Sequence, residues 1–322
     1  MTVLGCGTMG IAILNGILTS LVEMQGPKPL QAPSSGASTP GDEPPASLPS
    51  RFIACVRTPQ SAKRVKSALW EHSSVLKVVQ NDNLSAVQQS QVILLACKPH
   101  MVRSILSAPG MAKALHGKLL ISICAGITVE HIEIALHGAV PSKDPDEDGR
   151  CRVVRAMCNT AALIRESMTV IAADPVLPAD VEALVTWIFK RVGDVIYLPT
   201  QNMDASTALC GSGPAFYALM LEAAIDGAVA MGLPRAEATK MATQTMRGTT
   251  GLVQNGEHPA ILREKVCGPG GCSIGGVLVL EEARVRGSVS RAVREAAVIA
   301  SQLGKGCQMV NGTRFNTTEQ QH

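Results

Sequence analysis

Six residues near the start of the chain have the types and the spacing to bind phosphate groups. They follow a predicted apolar strand, open a predicted helix, and read Gly5, Cys6, Gly7, Thr8, Met9 and Gly10. In a GxGxxG turn the first glycine allows a tight bend, the second lets the backbone approach a pyrophosphate, and the third lets helix and strand pack closely. The helix N-terminus attracts the phosphate charge. We therefore predict that these six residues bind a dinucleotide.

The end of the second predicted strand, residues 52–56, indicates which dinucleotide is preferred. A site for NAD places Asp or Glu here to bond the ribose hydroxyls, but this chain has Arg57 and Thr58, with Lys63 and Arg64 following. A guanidinium is a planar donor for a 2′-phosphate, and the threonine adds a hydroxyl. We predict NADPH as the cofactor, with NADH bound more weakly. The alternative interpretation is a solvated basic face at a helix start.

Two further strands end where open α/β sheets bind their ligands. The residues that follow these strands are Cys97, Lys98 and Pro99 after the first, and Ala125 and Gly126 after the second. We expect them to line the cofactor site. Lys98 has an equally good interpretation as an ordinary surface lysine.

A second glycine-rich turn lies far along the chain, directly before another predicted helix. It reads Gly268, Pro269, Gly270, Gly271, Cys272 and Ser273. Successive small residues expose backbone N–H groups, and the helix end adds positive potential, so the turn suits one carboxylate. A tight interhelical turn with Ser273 as a simple N-cap explains the residues equally well.

These motifs fall into two halves of different character. Up to residue 200, apolar strands alternate with helical patterns, among them one helix predicted over 101–115, which indicates a doubly wound sheet. Residues 25–50 are rich in Pro, Ser, Gly and Ala and predict a flexible insert. After residue 200 only Ala-rich helical patterns follow. We predict an α/β Rossmann-type, NADP-binding domain over 1–200 and an all-α domain over 201–322.

Composition argues against several classes of partner. The chain has 322 residues, a net charge of +3, two Trp, two Tyr and four Phe, so neither a polyanionic partner nor base stacking is indicated. Ten cysteines lack a zinc-site spacing, which favours reduced thiols and no metal. No segment reads as a membrane span or a signal peptide. We expect a cytoplasmic protein that binds neither nucleic acid nor a membrane.

Taken together, these motifs resemble the pyrroline-5-carboxylate reductase family over about residues 1–306. The similar segments are Gly5–Met9, Ala96–Pro99, Ser122–Gly126, Val154–Thr160, Met203–Ala215, Asp226–Pro234 and Pro269–Ile274. The blocks that begin at Met203 and Pro269 are long and specific, and they carry most of the resemblance.

The resemblance implies NADPH-dependent reduction of the C=N bond of 1-pyrroline-5-carboxylate to L-proline. It also implies a helical dimerisation domain, and so a homodimer or a higher homo-oligomer formed through the C-terminal helices. The active site would lie between the nicotinamide and the second glycine-rich turn, with Ser273 as the catalytic hydroxyl near the ring nitrogen. The implied substrate-binding residues are Gly268, Gly270, Gly271, Cys272, Ser273, Thr207 and Ser212, and Asn159 joins the implied cofactor-binding residues.

Several positions depart from the family pattern and keep alternatives open. Cys158 replaces a proline, while Gly268 and Ser273 are each smaller than the usual residue. An enlarged pocket would suit a methyl-substituted pyrroline carboxylate in secondary metabolism, and a non-catalytic NADPH-binding oligomer is a second alternative. A β-hydroxyacid dehydrogenase is disfavoured, because the helix predicted over 214–231 lacks the catalytic lysine of those enzymes. Proline biosynthesis is the first expectation.

Overall fold

The computed structural model describes residues 1–25, 45, 47–139, 145–304 and 312–313, so most of the insert predicted over 25–50 lies outside the described residues. The described strands form one eight-stranded sheet with the order β3-β2-β1-β4-β5-β6-β7-β8. Its strands are β1 Thr2–Leu4, β2 Phe52–Val56, β3 Leu76–Gln80, β4 Val92–Leu95, β5 Leu119–Ser122, β6 Arg152–Met157, β7 Ser167–Ala172 and β8 Gly193–Leu198.

Helices flank the sheet and make up the later part of the chain. Within the described residues the α-helices are α1 Thr8–Gln25, α2 Pro59–Ala68, α3 Asn83–Gln88, α4 Val102–Leu106, α5 Met111–Leu115, α6 Val129–His137, α7 Pro145–Asp148, α8 Ala179–Lys190, α9 Met203–Ser206, α10 Gly213–Ala230, α11 Arg235–Gln254, α12 Pro259–Val266, α13 Cys272–Glu282 and α14 Val285–Gly304.

The central strands are parallel and buried on both faces. β1 pairs with β2 on one side and with β4 on the other, and every residue of these three strands is buried. Alternate residues enter different cores: Val3 packs in the cluster that contains Ile13 of α1, whereas Leu4 lies in the cluster that contains Ile105 of α4. The two-sided burial explains the continuous apolar runs of the sequence. It also brings the carboxyl ends of these strands to one edge.

The pairing of β6 with β7 departs from the parallel pattern. These strands run antiparallel, with Ala156 opposite Ile171. Only a short 3₁₀ turn, Thr160–Ile164, lies between them. A parallel connection needs a crossover of about a dozen residues or more, which this segment is too short to supply. The sheet is therefore mixed, with a parallel doubly wound part that continues into one antiparallel pair.

The single helix predicted over 101–115 is wrong, because the structure divides it into α4 and α5. Pro109 cannot donate a backbone hydrogen bond, and Gly110 adopts a left-handed conformation with φ of 81°. A helix restarts only at Met111. Apolar residues at helical spacing on each side of Pro109 had suggested one continuous helix.

The chain forms two compact units. Unit 1 comprises Met1–Gly211 and the described part of 297–322, and unit 2 comprises Ser212–Ala296. The sequence predicted a boundary at residue 200. The structure instead groups residues 201–211 and the last turns of α14 with unit 1. Unit 2 contains α10 to α13 and most of α14.

Unit 2 buries few of its apolar side chains. Helices α12 and α13 are described throughout and contain no buried residue. The side chains of Leu219 and Val279 are 68% and 62% exposed. Exposed apolar surface on this scale marks a surface that another molecule covers.

The helical stretch Thr200–Ala230 is long and apolar enough to cross a membrane by length and composition, and 17% of its most apolar window is buried. The stretch also contains three acidic residues, Asp204, Glu222 and Asp226. Carboxylates are costly within a bilayer.

Candidate functional site

The first glycine-rich turn is closely packed at its first and third glycines. Gly5 has φ of 77°, and a Cβ there would lie 2.5 Å from the Cα of Cys97. A Cβ on Gly10 would lie 3.0 Å from Cγ1 of Val3. Gly7 donates its N–H to the carbonyl of Gly5 at 2.7 Å. The turn thus brings β1 and α1 together, as a nucleotide-binding turn requires.

The space above Gly7 is open. A Cβ on Gly7 would meet nothing closer than the Gly5 carbonyl at 3.8 Å and Nη2 of Arg64 at 3.9 Å. Thr8, the first residue of α1, is exposed, and Met9 is half-buried. The first N–H groups of a helix have no intrahelical acceptor, and the first turn of α1 contains no acidic residue. These residues fit the pyrophosphate of a dinucleotide.

Four cysteines lie near the carboxyl ends of neighbouring strands. They are Cys55, Cys6, Cys97 and Cys124, and all four are buried. Burial raises the pKa of the Cys6 and Cys55 thiols to about 12. The Cys124 thiol donates to the carbonyls of Leu95 and Cys97 at 3.4 and 3.3 Å. Small and buried, these thiols act as packing groups.

Arg57 and Thr58 directly follow β2 at the same edge of the sheet, and both are exposed. Thr58 caps α2, since its Oγ1 accepts from the Ser61 N–H at 3.2 Å and donates to the Ser61 hydroxyl at 2.9 Å. The hydroxyl predicted for a phosphate is therefore already used in the helix cap. Among the described residues no carboxylate forms an ion pair with Arg57, so its guanidinium remains available to an anion.

The other two predicted strand ends differ in their exposure. Lys98 and Pro99 are exposed and start a 3₁₀ turn. Gly126, with φ of 72°, is buried, and a Cβ there would lie 3.3 Å from Cβ of Leu303 in α14. Its neighbour Ala125 is exposed. After β5, Gly126 therefore faces the end of α14, which leaves Ala125 as the residue that a ligand can contact.

Asn159 uses its side chain to join two segments of unit 1. Its Oδ1 accepts from the Ala161 N–H at 3.0 Å, and its Nδ2 donates to the Cys210 carbonyl at 3.0 Å. Cys210 belongs to a π-helical turn, Thr207–Gly211, in which the Thr207 hydroxyl donates to the Met203 carbonyl at 2.7 Å. Such turns are frequent at functional sites. Asn159 fixes this turn to the end of β6.

Arg155 supports the same region and was missed by sequence reasoning. It lies on β6, its side chain is 5% exposed, and its Nη2 is 3.7 Å from Oδ1 of Asp204. Its Nε and Nη2 have no hydrogen-bond partner. Burial lowers the pKa of Arg155, and the Asp204 charge opposes that shift. The only available signal was an arginine among the apolar residues that follow Arg152 in the strand RVVRAM.

The second glycine-rich turn belongs to unit 2 and is exposed. Gly271 donates to the Gly268 carbonyl at 3.0 Å, and Gly270 has φ of 68°. The N-cap of α13 is Gly271, and no side chain caps the helix. The alternative in which Ser273 is the N-cap is wrong, because Ser273 is the second residue of α13. The N–H groups of this helix start therefore remain available to an anion.

Ser212, the remaining predicted substrate residue, precedes α10 at the start of unit 2, and its side chain makes no capping bond. The structure thus brings the predicted cofactor residues of β1, β2 and β4 to one edge of unit 1. It joins Asn159 to the turn that contains Thr207. The turn from Gly268 to Ser273 belongs to unit 2, separate from these unit 1 residues.

Two family models match the chain. Residues 200–303 match the model described as pyrroline-5-carboxylate reductase dimerisation, and residues 30–126 match the model described as NADP oxidoreductase coenzyme F420-dependent. The first range contains α10 to α13 and most of α14, and the second extends to the turn after β5.

Similar proteins extend the likeness to nearly the whole chain. A pyrroline-5-carboxylate reductase of Lophium arboricola is 60% identical over 316 residues, which cover 98% of this chain and 96% of that protein. The one of Neurospora crassa is 56% identical over 332 residues, with the same shares covered. The crystal structure of Plasmodium falciparum pyrroline carboxylate reductase with NADP bound is 23% identical, with a TM-score of 0.72, and the match covers 94% of this chain and 97% of that one. At that identity the crystal structure shows the shared fold.

Proposed function

The chain belongs to the pyrroline-5-carboxylate reductase family, and we propose that it reduces 1-pyrroline-5-carboxylate to L-proline with NADPH. The observation that carries this function is the likeness to named reductases at 60% identity over 98% of the chain. The open cradle at Gly7 independently supports a dinucleotide at the carboxyl edge of the sheet. The alternatives of a substituted ring and of a non-catalytic oligomer have no comparable support.

When bound, NADPH supplies a hydride from its nicotinamide ring to the imine carbon. The work of the chain is to bind and orient the reactants. The turn from Gly5 to Gly10 holds the pyrophosphate, Arg57 binds the 2′-phosphate, and Ala125 and Lys98 line the cofactor site. Because Gly126 faces α14 and Asn159 is engaged with Cys210, we assign these two residues to positioning neighbouring segments.

The turn at the start of α13 binds the carboxylate of the imino acid in this proposal. The uncapped N–H groups at Cys272 and Ser273 provide donors, and the helix dipole adds a favourable potential. Gly268 and Gly270 leave room for the ring, since no atom lies within 4 Å of a Cβ on either. The Ser273 hydroxyl hydrogen-bonds the ring nitrogen. A protonated imine is already electrophilic, so a strong general acid is unnecessary.

Two further substrate contacts are proposed, from Thr207 and Ser212. The Thr207 hydroxyl donates to the Met203 carbonyl, and its oxygen lone pairs remain available to accept a hydrogen bond from the substrate. The Ser212 hydroxyl makes no capping bond with its own helix. Both belong to the block from Met203 to Ala215 that the family shares.

The C-terminal region is a dimerisation domain by its family model. We propose that α10 to α14 form a homodimer, which can assemble into a higher homo-oligomer. The exposed apolar side chains of Leu219 and Val279 support this assembly. A cytoplasmic location stays a prediction, and subcellular fractionation tests it.

The direct test of the function is the consumption of NADPH at 340 nm, the absorbance band of the reduced nicotinamide, with 1-pyrroline-5-carboxylate as the acceptor. We expect saturable turnover and stoichiometric proline. A β-hydroxy acid with NADP⁺ serves as the control and should give no turnover. Turnover only on a methyl-substituted pyrroline carboxylate would replace the proposal by the substituted-ring alternative, and turnover on neither imine would leave a non-catalytic NADPH-binding oligomer.

A further inference from the structure

We propose that Arg64 holds the pyrophosphate of the bound dinucleotide against the first glycine-rich turn, and that it therefore contributes equally to the binding of NADPH and of NADH. This inference rests on the proposed dinucleotide site. It adds a residue of α2 that the sequence motif does not contain. It also assigns different parts of the cofactor to Arg64 and to Arg57.

The side chain of Arg64 crosses from α2 to the turn between β1 and α1. Ala62 and Val65 of the same helix are buried against the sheet. The guanidinium reaches Gly7, since its Nη2 lies 3.9 Å from the position of a Cβ on that residue. The charge of Arg64 also opposes the rise that burial causes in the pKa of Cys6, the residue between the first two glycines of the motif.

Among the described residues, no carboxylate lies within ion-pair distance of Arg64. Within the described ranges, Arg165, Arg235 and Arg286 each lie within ion-pair distance of a carboxylate, whereas Arg64 and Arg57 do not. Two unpaired guanidinium groups at one edge of a sheet repel each other. An anion between or beside them removes that repulsion and gains charge-assisted hydrogen bonds.

The position of Arg64 points to the pyrophosphate and not to the 2′-phosphate. Gly7 is the second glycine of the motif, whose missing side chain admits the pyrophosphate. Arg57 ends β2, where dinucleotide-binding folds distinguish NADP from NAD. Arg57 therefore reads the group by which the two cofactors differ, and Arg64 reads the group that they share.

Equilibrium titration of the cofactor fluorescence separates these roles without turnover. The dissociation constants of NADPH and NADH are measured for the wild type, Arg64→Ala and Arg57→Ala. We expect Arg64→Ala to raise both constants by about tenfold to a hundredfold, the usual effect of losing a charged hydrogen bond. Arg57→Ala should raise the constant for NADPH to a similar extent and leave that for NADH unchanged.

Lys63→Ala is the matched control, because Lys63 is an exposed cation of the same helix turn. It should change either constant by less than about twofold, the small effect of a single exposed charge. An equal loss for Lys63→Ala and Arg64→Ala would mean a general charge effect and would overturn the inference. Unfolding temperatures of all three variants establish that each is folded.

Gly7→Ala provides a second, independent variant. The nearest atoms to its Cβ would be at 3.8 and 3.9 Å, which is ordinary contact, so the free protein should fold normally. The methyl group fills the space between the turn and Arg64, so both cofactors should bind at least tenfold more weakly. Adding Arg64→Ala to this variant should then weaken binding by less than about twofold more, because the two changes remove the same contact.

Three further outcomes contradict the inference. An unchanged affinity of Arg64→Ala for both cofactors excludes the contact. A loss confined to NADPH places Arg64 on the 2′-phosphate. Full additivity of Gly7→Ala and Arg64→Ala shows that the two residues act separately. If the wild-type protein and every variant bind neither cofactor, the proposed dinucleotide site fails instead, which is a distinguishable result.

Discussion

The two glycine-rich turns of this protein have the same chemical design, but neighbouring residues pack closely around the first turn and not around the second. Each lies at the N-terminus of a helix and presents backbone N–H groups to an anion. Around the first turn, Cys97 and Val3 approach Gly5 and Gly10 so closely that no side chain fits. Around the second, no atom lies within 4 Å of a Cβ on Gly268. Packing within unit 1 fixes the first turn, whereas unit 2 by itself does not fix the second.

The same contrast holds for the helices beside each turn. The helix α1, which follows the first turn, buries eight of its residues. The helix α13, which follows the second turn, buries none. A site of exact geometry needs support from surrounding residues. We infer that the cofactor turn is preorganised in one chain, and that the substrate turn gains its support on assembly through the dimerisation domain.

The largest expected effect distinguishes the two turns by stability. Gly5→Ala places a methyl group 2.5 Å from the Cys97 backbone at a positive φ, so we expect a loss of at least about 3 kcal/mol in the free energy of unfolding, or no folded protein. Gly268→Ala meets open space and should change it by less than about 0.5 kcal/mol. Urea unfolding measures both. Similar losses in the two variants would remove the contrast.

A charge placed on the apolar surface of unit 2 tests its need for a partner. Leu219→Arg should dissociate the oligomer, because Leu219 is 68% exposed in the single chain and burial of the charge at an interface is costly. Ile164→Arg is the matched control in unit 1, where Ile164 is 72% exposed. Light scattering at micromolar concentration reports the mass. A wild-type monomer with full activity would contradict the proposed assembly.

Ser273→Ala tests the substrate turn without touching the cofactor turn. Removing the hydroxyl that we place at the ring nitrogen should lower turnover about tenfold, the cost of about one hydrogen bond. The dissociation constant of NADPH should stay unchanged. Ser273→Thr restores the hydroxyl and should restore most of the turnover. An Ala variant with wild-type turnover would exclude Ser273 from the reaction.

The pH dependence of stability gives the smallest expected effect. Thiol labelling then compares a buried cysteine of the first turn, Cys6, with an exposed one of the second, Cys272. Burial raises the pKa of Cys6 and Cys55 to about 12 from an ordinary value of 9.0. The stability that these neutral thiols contribute is complete below about pH 9 and is lost as the pH rises toward 12. The unfolding temperature should therefore fall over that range, and less steeply in Cys6→Ala. At pH 8 a thiol reagent should label the exposed Cys272 and spare Cys6 and Cys55.

Local spacing explains why the geometry of the first glycine-rich turn was predictable from sequence. A strand, three glycines and a helix start are adjacent in the chain, and each glycine has a stated steric reason. The residues that interrupt the helix, Pro109 and Gly110, were also visible in the sequence. The apolar spacing on both sides nevertheless led to the prediction of one continuous helix. The antiparallel return from β6 to β7 depends on a short connection that the strand patterns alone did not reveal.

The contacts that sequence reasoning did not assign depend on distant packing. Arg64 reaches Gly7 across two elements, and Arg155 pairs with Asp204, which lies far along the chain. Neither belongs to a motif with fixed spacing. The capping bond of Thr58 and the two side-chain bonds of Asn159 are also properties of the folded chain. The residue types of Thr58 and Asn159 indicated that their side chains make hydrogen bonds. Only the structure identified the groups to which they bond.

Isotope transfer tests the central claim most directly. The protein is incubated with 1-pyrroline-5-carboxylate and NADPH that carries deuterium at the hydride-donating carbon of the nicotinamide, on either face in separate experiments. We predict that one of the two cofactors gives L-proline with a single deuterium on the ring carbon that carried the C=N bond. Proline without deuterium from both cofactors, or no proline at all, would contradict the account.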